Sequence, residues 1–201
     1  MYEEFYGFKE RPFALVPDPS FLYLSKGHGT ALTLLRSSIM NRQGFTVVSG
    51  EVGSGKTTLV NRLLDELKTG VTVGLINFTT RTFGDMAEWI MMAYGLPYKN
   101  KGKVELYEDF VQFMIREYAA GRPVVLIVDE AQNLGIRGLE EIRMLSNVNA
   151  QKEYLLHVIL VGQPELRALL QTPQLRQLTQ RVSVAFHLKP LSETEVQQYI
   201  A

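Results

Sequence analysis

Apolar positions along this chain alternate between two patterns. Short, nearly unbroken apolar runs rich in Val and Ile are separated by stretches in which apolar residues recur three and four apart. An unbroken run such as Val124, Val125, Leu126, Ile127 and Val128 reads as a strand buried on both faces of a parallel sheet. Strands are predicted at 44–49, 71–77, 123–129, 155–161 and 182–188. Helical spacing falls between them. Leu32, Leu35 and Ile39 share one face of a helix over 28–40. Another helix runs to about residue 68 and stops at Gly70. Met86, Ile90 and Ala93 mark a helix over 85–94, and shorter helices are predicted at 139–147 and 165–170. Val104, Tyr107, Phe110, Val111, Met114 and Tyr118 form an apolar stripe that ends before Gly121, read here as core contacts. Strands alternating with helices predict an α/β domain: a mostly parallel sheet with helices on both faces.

The two ends depart from this alternation. Tyr2, Phe5, Tyr6, Phe8, Phe13, Phe21 and Tyr23 crowd around Pro12, Pro17 and Pro19. Proline at that density prevents a continuous helix, so residues 1–25 are expected to form an extended strap. Its aromatic rings need burial against the domain, either as plain packing or as part of an adenine pocket. At the other end, Ser192 and Glu195 make a capping box, with Leu191 and Val196 as its hydrophobic staple. The helix so specified stops at Ala201. Isolated helices that short are marginal, so a longer natural protein is expected.

The candidate chemistry sits where strands end. Gly50, Glu51, Val52, Gly53, Ser54, Gly55, Lys56 and Thr57 match the phosphate-loop pattern at every fixed position, and Thr58 continues into the helix. Glycines let the backbone turn tightly so that N–H groups face phosphate oxygens. Lys56 is expected to reach the β- and γ-phosphates, and the Thr57 hydroxyl to ligate Mg²⁺. Asp129 and Glu130 close the run at Val124, at the sheet edge where open α/β folds bind ligands. Asp129 is expected to hold Mg²⁺, usually through water, and Glu130 to polarise a water for attack on the γ-phosphate. Alone, that pair reads equally as two solvated acids; the loop at Gly50 favours the catalytic reading.

Further candidates flank this pair. Gln163, after the fourth strand, is placed to orient the attacking water or simply to turn the chain. Asn77 ends the second strand, as a restraint on Glu130 or a plain turn residue. Arg176 and Arg181 precede the fifth strand. Either can project toward a nucleotide on a neighbouring subunit as an arginine finger or make an ordinary surface ion pair. His28, His157 and His187 are dispersed, with no ligand spacing.

Composition narrows the field. Of 201 residues, 46% are hydrophobic, enough for a substantial core. Twenty-one basic residues balance 21 acidic ones, so an obligate basic nucleic-acid-binding domain is disfavoured, though a local patch is not. There is no cysteine, which suits a reducing cytoplasm. No apolar run approaches the ~18 residues of a membrane span.

Several strings carry a closer likeness. Phe5-Tyr-Gly-Phe-Lys-Glu-Arg-Pro-Phe13, Pro17-Asp-Pro-Ser-Phe-Leu-Tyr-Leu24, Asp129-Glu-Ala-Gln-Asn133, Leu145-Ser-Asn147, Val161-Gly-Gln-Pro-Glu-Leu166 and Leu175-Arg-Gln-Leu178 resemble the AAA+ ATPase domain of the general secretion pathway protein A (ExeA-like) family. The resemblance implies a P-loop NTPase of AAA+ type, a three-layer sandwich with five parallel strands in the order 5-1-4-3-2. It implies ATP as the nucleotide, Gln163 as sensor 1, and Arg181 ahead of Arg176 as the finger. The division it implies is a strap at 1–25, a nucleotide-binding core at 26–190 and the start of a helical lid at 191–201. Family likeness further implies self-association into a ring or filament. The expected location is cytoplasmic, tethered through a later region to the inner membrane, with a secretion-apparatus or membrane partner. An ATP-dependent regulator of transposition acting on DNA, and a nucleotide-gated scaffold with little turnover, are the alternatives.

Overall fold

The structure, a computed structural model, describes residues 5, 7, 23–67, 70–77, 85–150 and 153–200. Five parallel strands form the central sheet: β1 (Phe45–Gly50), β2 (Thr72–Asn77), β3 (Val124–Asp129), β6 (Leu156–Gly162) and β7 (Val182–Leu188), in the spatial order β2-β3-β6-β1-β7. Between β3 and β6 the chain makes a small antiparallel hairpin, β4 (Asn149–Ala150) with β5 (Glu153–Tyr154), outside the sheet. With the hairpin left out of the count, the order is the expected 5-1-4-3-2.

The helices are α1 (Lys26–Met40), α2 (Lys56–Glu66), α3 (Met86–Ala93), α4 (Lys103–Ala119), α5 (Gly135–Leu145), α6 (Pro164–Leu170), α7 (Arg176–Thr179) and α8 (Glu193–Ile200). Because successive strand residues point to opposite faces, β3 serves two cores at once. Val124, Leu126 and Val128 join Ile90, Phe110, Met114, Leu139 and Leu166 on one face. Val125 and Ile127 join Leu32, Leu35, Ile39, Leu59 and Leu63 on the other. Helices α1 and α2 therefore cover one face and α3–α6 the opposite one, giving three layers. Each such fully buried side chain contributes roughly 1.5–3 kcal/mol of transfer free energy.

Two expectations need correction, and several short elements are new. In α4 the buried line is Leu106, Phe110 and Met114, while Val104 is 72% and Tyr107 40% exposed. The i, i+4, i+8 row through Leu106 is the true face, and Val111 and Tyr118 flank it. Helix α5 begins at Gly135 rather than at 139. Gly135 and Gly138 lower local helix propensity, which packing overrides. The hairpin, α7 and the 3₁₀ turns Ala131–Leu134 and Pro173–Leu175 were not predicted, since elements this short carry no readable period.

The capping box before α8 is present: Glu195 Oε2 accepts from the Ser192 N–H at 2.8 Å, and Ser192 Oγ from the Glu195 N–H at 3.4 Å. Helix α8 rests beside the entry to α1. The Tyr23 hydroxyl donates to Gln198 Oε1, and the Tyr23 and Tyr199 rings meet edge-on at 6.3 Å. Most of the proposed strap, with its adenine-pocket reading, lies outside the described residues.

Candidate nucleotide-binding site

All five strands of the sheet run the same way, so their carboxyl ends share one edge. Register sets Asn77 level with Asp129, and Ser49 level with Gly162. The phosphate loop, the acidic pair and Gln163 therefore emerge side by side.

The loop follows buried β1 and turns directly into α2. Gly53 and Gly55 take φ of +78° and +85°, the left-handed region that glycine enters without penalty. Lys56 is only 6% exposed, with its ammonium group donating to the carbonyls of Gly50 and Glu51, each at 2.8 Å. A buried ammonium at the N-terminus of a helix suits an anion of high charge. Ser54 Oγ is buried and has no hydrogen-bond partner among the described residues, a polar atom suited to a ligand oxygen.

The Thr57 hydroxyl donates to Asp129 Oδ2 at 2.9 Å, joining the start of α2 to the end of β3. Asp129 is 2% exposed, and burial pushes its carboxyl above the ordinary value, against the opposing pull of the Thr57 hydroxyl and the Glu130 N–H. No group of three or more His, Cys, Asp or Glu capable of holding a metal occurs among the described residues. Mg²⁺ does not need one: it takes one or two protein oxygens and completes its shell with phosphate and water. The Thr57–Asp129 oxygen pair fits that requirement.

Glu130 adopts φ 54°, ψ 38°, a left-handed conformation rare for a residue with a Cβ. Such strain costs on the order of 1–3 kcal/mol and clusters at functional sites. Asp129 Oδ1 accepts from the Glu130 N–H, and the Glu130 carbonyl accepts from the Asn133 N–H, both at 2.9 Å. Gln132 and Gln163 hold the Glu130 side chain. Gln132 Nε2 donates to Glu130 Oε2 at 2.5 Å, and Gln163 Nε2 donates to the same oxygen at 3.1 Å. Gln132 Oε1 also accepts from the Gln163 backbone N–H at 3.1 Å. A Cβ on Gly162 would lie 2.5 Å from that Oε1, so the approach depends on glycine.

Asn77 stands on the neighbouring strand but makes no hydrogen bond to Glu130; the two glutamines do. Gln132 was visible only as part of a family string. Its role became legible once β3 and β6 were seen to be adjacent.

Arg181 lies away from this edge. The Phe45 N–H donates to the Arg181 carbonyl at 3.3 Å, at the amino end of β1. Gly50, at the loop end of the strand, pairs with Leu188. The six residues of β1 span roughly 20 Å at about 3.3 Å each. Arg181 is half-buried, and its Nη1 has no hydrogen-bond partner among the described residues, whereas Arg176 is exposed.

His28, passed over in the sequence as dispersed, is 3% exposed and touches the loop: its Nε2 lies 3.0 Å from the Ser54 carbonyl oxygen. His157 is buried under α1, and His187 lies on exposed edge strand β7.

A parallel sheet in this order, with a phosphate loop after β1 and a paired acid at the end of β3, one strand apart on the same edge, defines a P-loop nucleotide-binding domain. The chain belongs to the AAA domain family, which matches residues 39–170. It is 39% identical over 201 residues to General secretion pathway protein A of Aeromonas hydrophila, covering 100% of this chain and 37% of that protein. The resemblance drawn from the sequence thus holds. Solved structures share the fold. The Aeropyrum pernix ORC2 protein in its ADPNP–ADP complexes aligns with TM-score 0.68 and 16% identity over 94% of this chain and 54% of that one. CDC6P of Pyrobaculum aerophilum aligns with TM-score 0.65 and 20% identity over 93% and 53%. Among the described residues, no helix is long and apolar enough to cross a membrane.

Proposed function

We propose that this domain binds MgATP and hydrolyses it, and that the cycle energises or regulates assembly of a bacterial secretion- or pilus-type envelope apparatus. The observation that carries the reading is the convergence of Lys56, the Thr57–Asp129 pair and Glu130 at one sheet edge. The backbone from Gly50 to Thr58 binds the phosphates, with Lys56 turning its ammonium group to the β- and γ-oxygens. Thr57 and Asp129 would hold Mg²⁺, which supplies charge neutralisation when bound. Glu130 accepts a proton from the attacking water, and Gln163 orients that water and meets the γ-phosphate.

The remote Arg181 supports a role in trans. About 20 Å of strand separates Arg181 from its own loop, so an arginine finger here serves the nucleotide of a neighbouring copy in a ring or filament. Arg176 has the more accessible side chain of the two. In this reading 26–190 is the nucleotide-binding core and 191–201 the start of a helical lid. The working location is the cytoplasmic face of the inner membrane, with a secretion-apparatus protein as partner. The name of the Aeromonas relative supports this assignment. Zero net charge gives no support to a DNA-binding role.

The test is ATP turnover across a range of protein concentrations, with and without duplex DNA. A specific rate that climbs with concentration and ignores DNA is expected. Turnover that requires DNA would replace the secretion reading, and no MgATP binding at any concentration would end the enzyme reading.

A further inference from the structure

We propose that His28 is a positioning residue for the phosphate loop, fixing the Ser54–Gly55 peptide from the first turn of α1; this rests on the nucleotide-binding reading above. The hydrogen bonds determine the ring's tautomer. The Ser54 carbonyl only accepts, so Nε2 carries the hydrogen that it receives at 3.0 Å. Nδ1 then accepts from the Ser25 hydroxyl at 2.7 Å. Ser25 Oγ in turn accepts from the His28 backbone N–H at 3.3 Å, as the cap of α1. Both ring nitrogens are thereby satisfied, and the ring cannot turn without breaking a buried hydrogen bond.

The consequence falls on Gly55. No peptide bond among the described residues is cis. In a trans peptide the C=O and N–H point in opposite directions. Holding the Ser54 carbonyl toward α1 therefore aims the Gly55 N–H away from α1. Phosphate binding by such a loop requires its N–H groups to converge on the anion. Gly55 itself provides no restraint, since glycine accepts either sign of φ and permits this peptide to flip. The fit is also close: a Cβ on Gly55 would lie 2.7 Å from His28 Nε2. The segment that leads into α1 meets α8 through Tyr23, so the loop and the last helix are fastened to one short stretch, Tyr23–His28.

The test compares His28→Phe, which fills the space without a donor, with His28→Gln, whose amide N–H has a similar reach. Two quantities are measured where circular dichroism shows folded protein: MgATP affinity, and hydrogen exchange of the loop amides without nucleotide. His28→Phe is expected to weaken binding about tenfold, the scale of one lost buried hydrogen bond, and to speed loop exchange by a similar factor. His28→Gln should restore most of both. Wild-type affinity and exchange in His28→Phe would overturn the proposal. Equal impairment in both variants would assign His28 to packing alone and overturn it too. If His28→Phe does not fold, Ser25→Ala frees the ring and should give a smaller loss in the same direction; no change there counts against the proposal. A wild-type chain that fails to bind MgATP would sink the nucleotide reading, and loop exchange would still decide the His28 contact.

Discussion

Gln132 Nε2 lies 2.5 Å from Glu130 Oε2, and the same amide's oxygen receives the Gln163 backbone N–H at 3.1 Å. The amide can be oriented only one way, because a carboxylate needs a donor and an N–H needs an acceptor. Gln132 therefore ties the end of β3 to the end of β6 and sets where the Glu130 carboxylate points. Replacing it with alanine should lower kcat about tenfold or more, because general-base catalysis depends on position. KM should change little, since no phosphate contact is lost. Steady-state kinetics decide this; a change confined to KM would refute the positioning role. Glu130→Gln should bind ATP normally and turn it over at least ~100-fold more slowly. Fast turnover in that variant would show that another group activates the water.

Lys56→Ala removes the buried ammonium inside the loop. Charge-assisted contacts of this kind contribute about 1.5–3 kcal/mol each, so affinity for MgATP should fall by roughly tenfold to over a hundredfold. Calorimetric titration measures this directly. Unchanged affinity would place the nucleotide elsewhere.

Arg181→Ala and Arg176→Ala should each leave ATP affinity intact, because Arg181 lies at the opposite end of β1 from the loop and Arg176 is exposed in the short helix before Arg181. If either residue serves a neighbouring copy, its loss removes the rise of specific rate with concentration, by roughly 10³–10⁵-fold for a full arginine finger. A rise identical to wild type in both variants would dismiss the arginines as trans-acting groups.

His157 makes acid stability a separate test of the core. Its Nδ1 faces the Gln43 carbonyl, its Nε2 lies 3.3 Å from Ser38 Oγ, and burial lowers its pKa from 6.5 to about 4. Below about 6.5 the unfolded chain takes up a proton that the native ring refuses until about 4. Stability from this group is therefore whole above pH 6.5, falls as pH drops through that window, and levels off below pH 4. The loss is on the order of 3 kcal/mol. Urea denaturation at several pH values should show this slope in wild type and not in His157→Gln. Parallel slopes would contradict it.

The sequence alone determined the fold class and the phosphate-loop pattern, because both are local. A buried parallel strand needs a continuous apolar run, as at Val124–Asp129, and a loop that wraps phosphate needs glycine and lysine at fixed spacing. The face of α4 was not legible in the same way. Val104 and Tyr107 are apolar enough to look buried, and only packing shows that the row through Leu106, Phe110 and Met114 wins. Tertiary structure also decided every relationship between distant segments. It chose Gln132 and Gln163 over Asn77 as partners of Glu130, and it brought His28 to Ser54. It set Arg181 at the opposite edge from Lys56. Strand order and register bring these pairs together or hold them apart, and no spacing along the chain encodes a distance across a sheet.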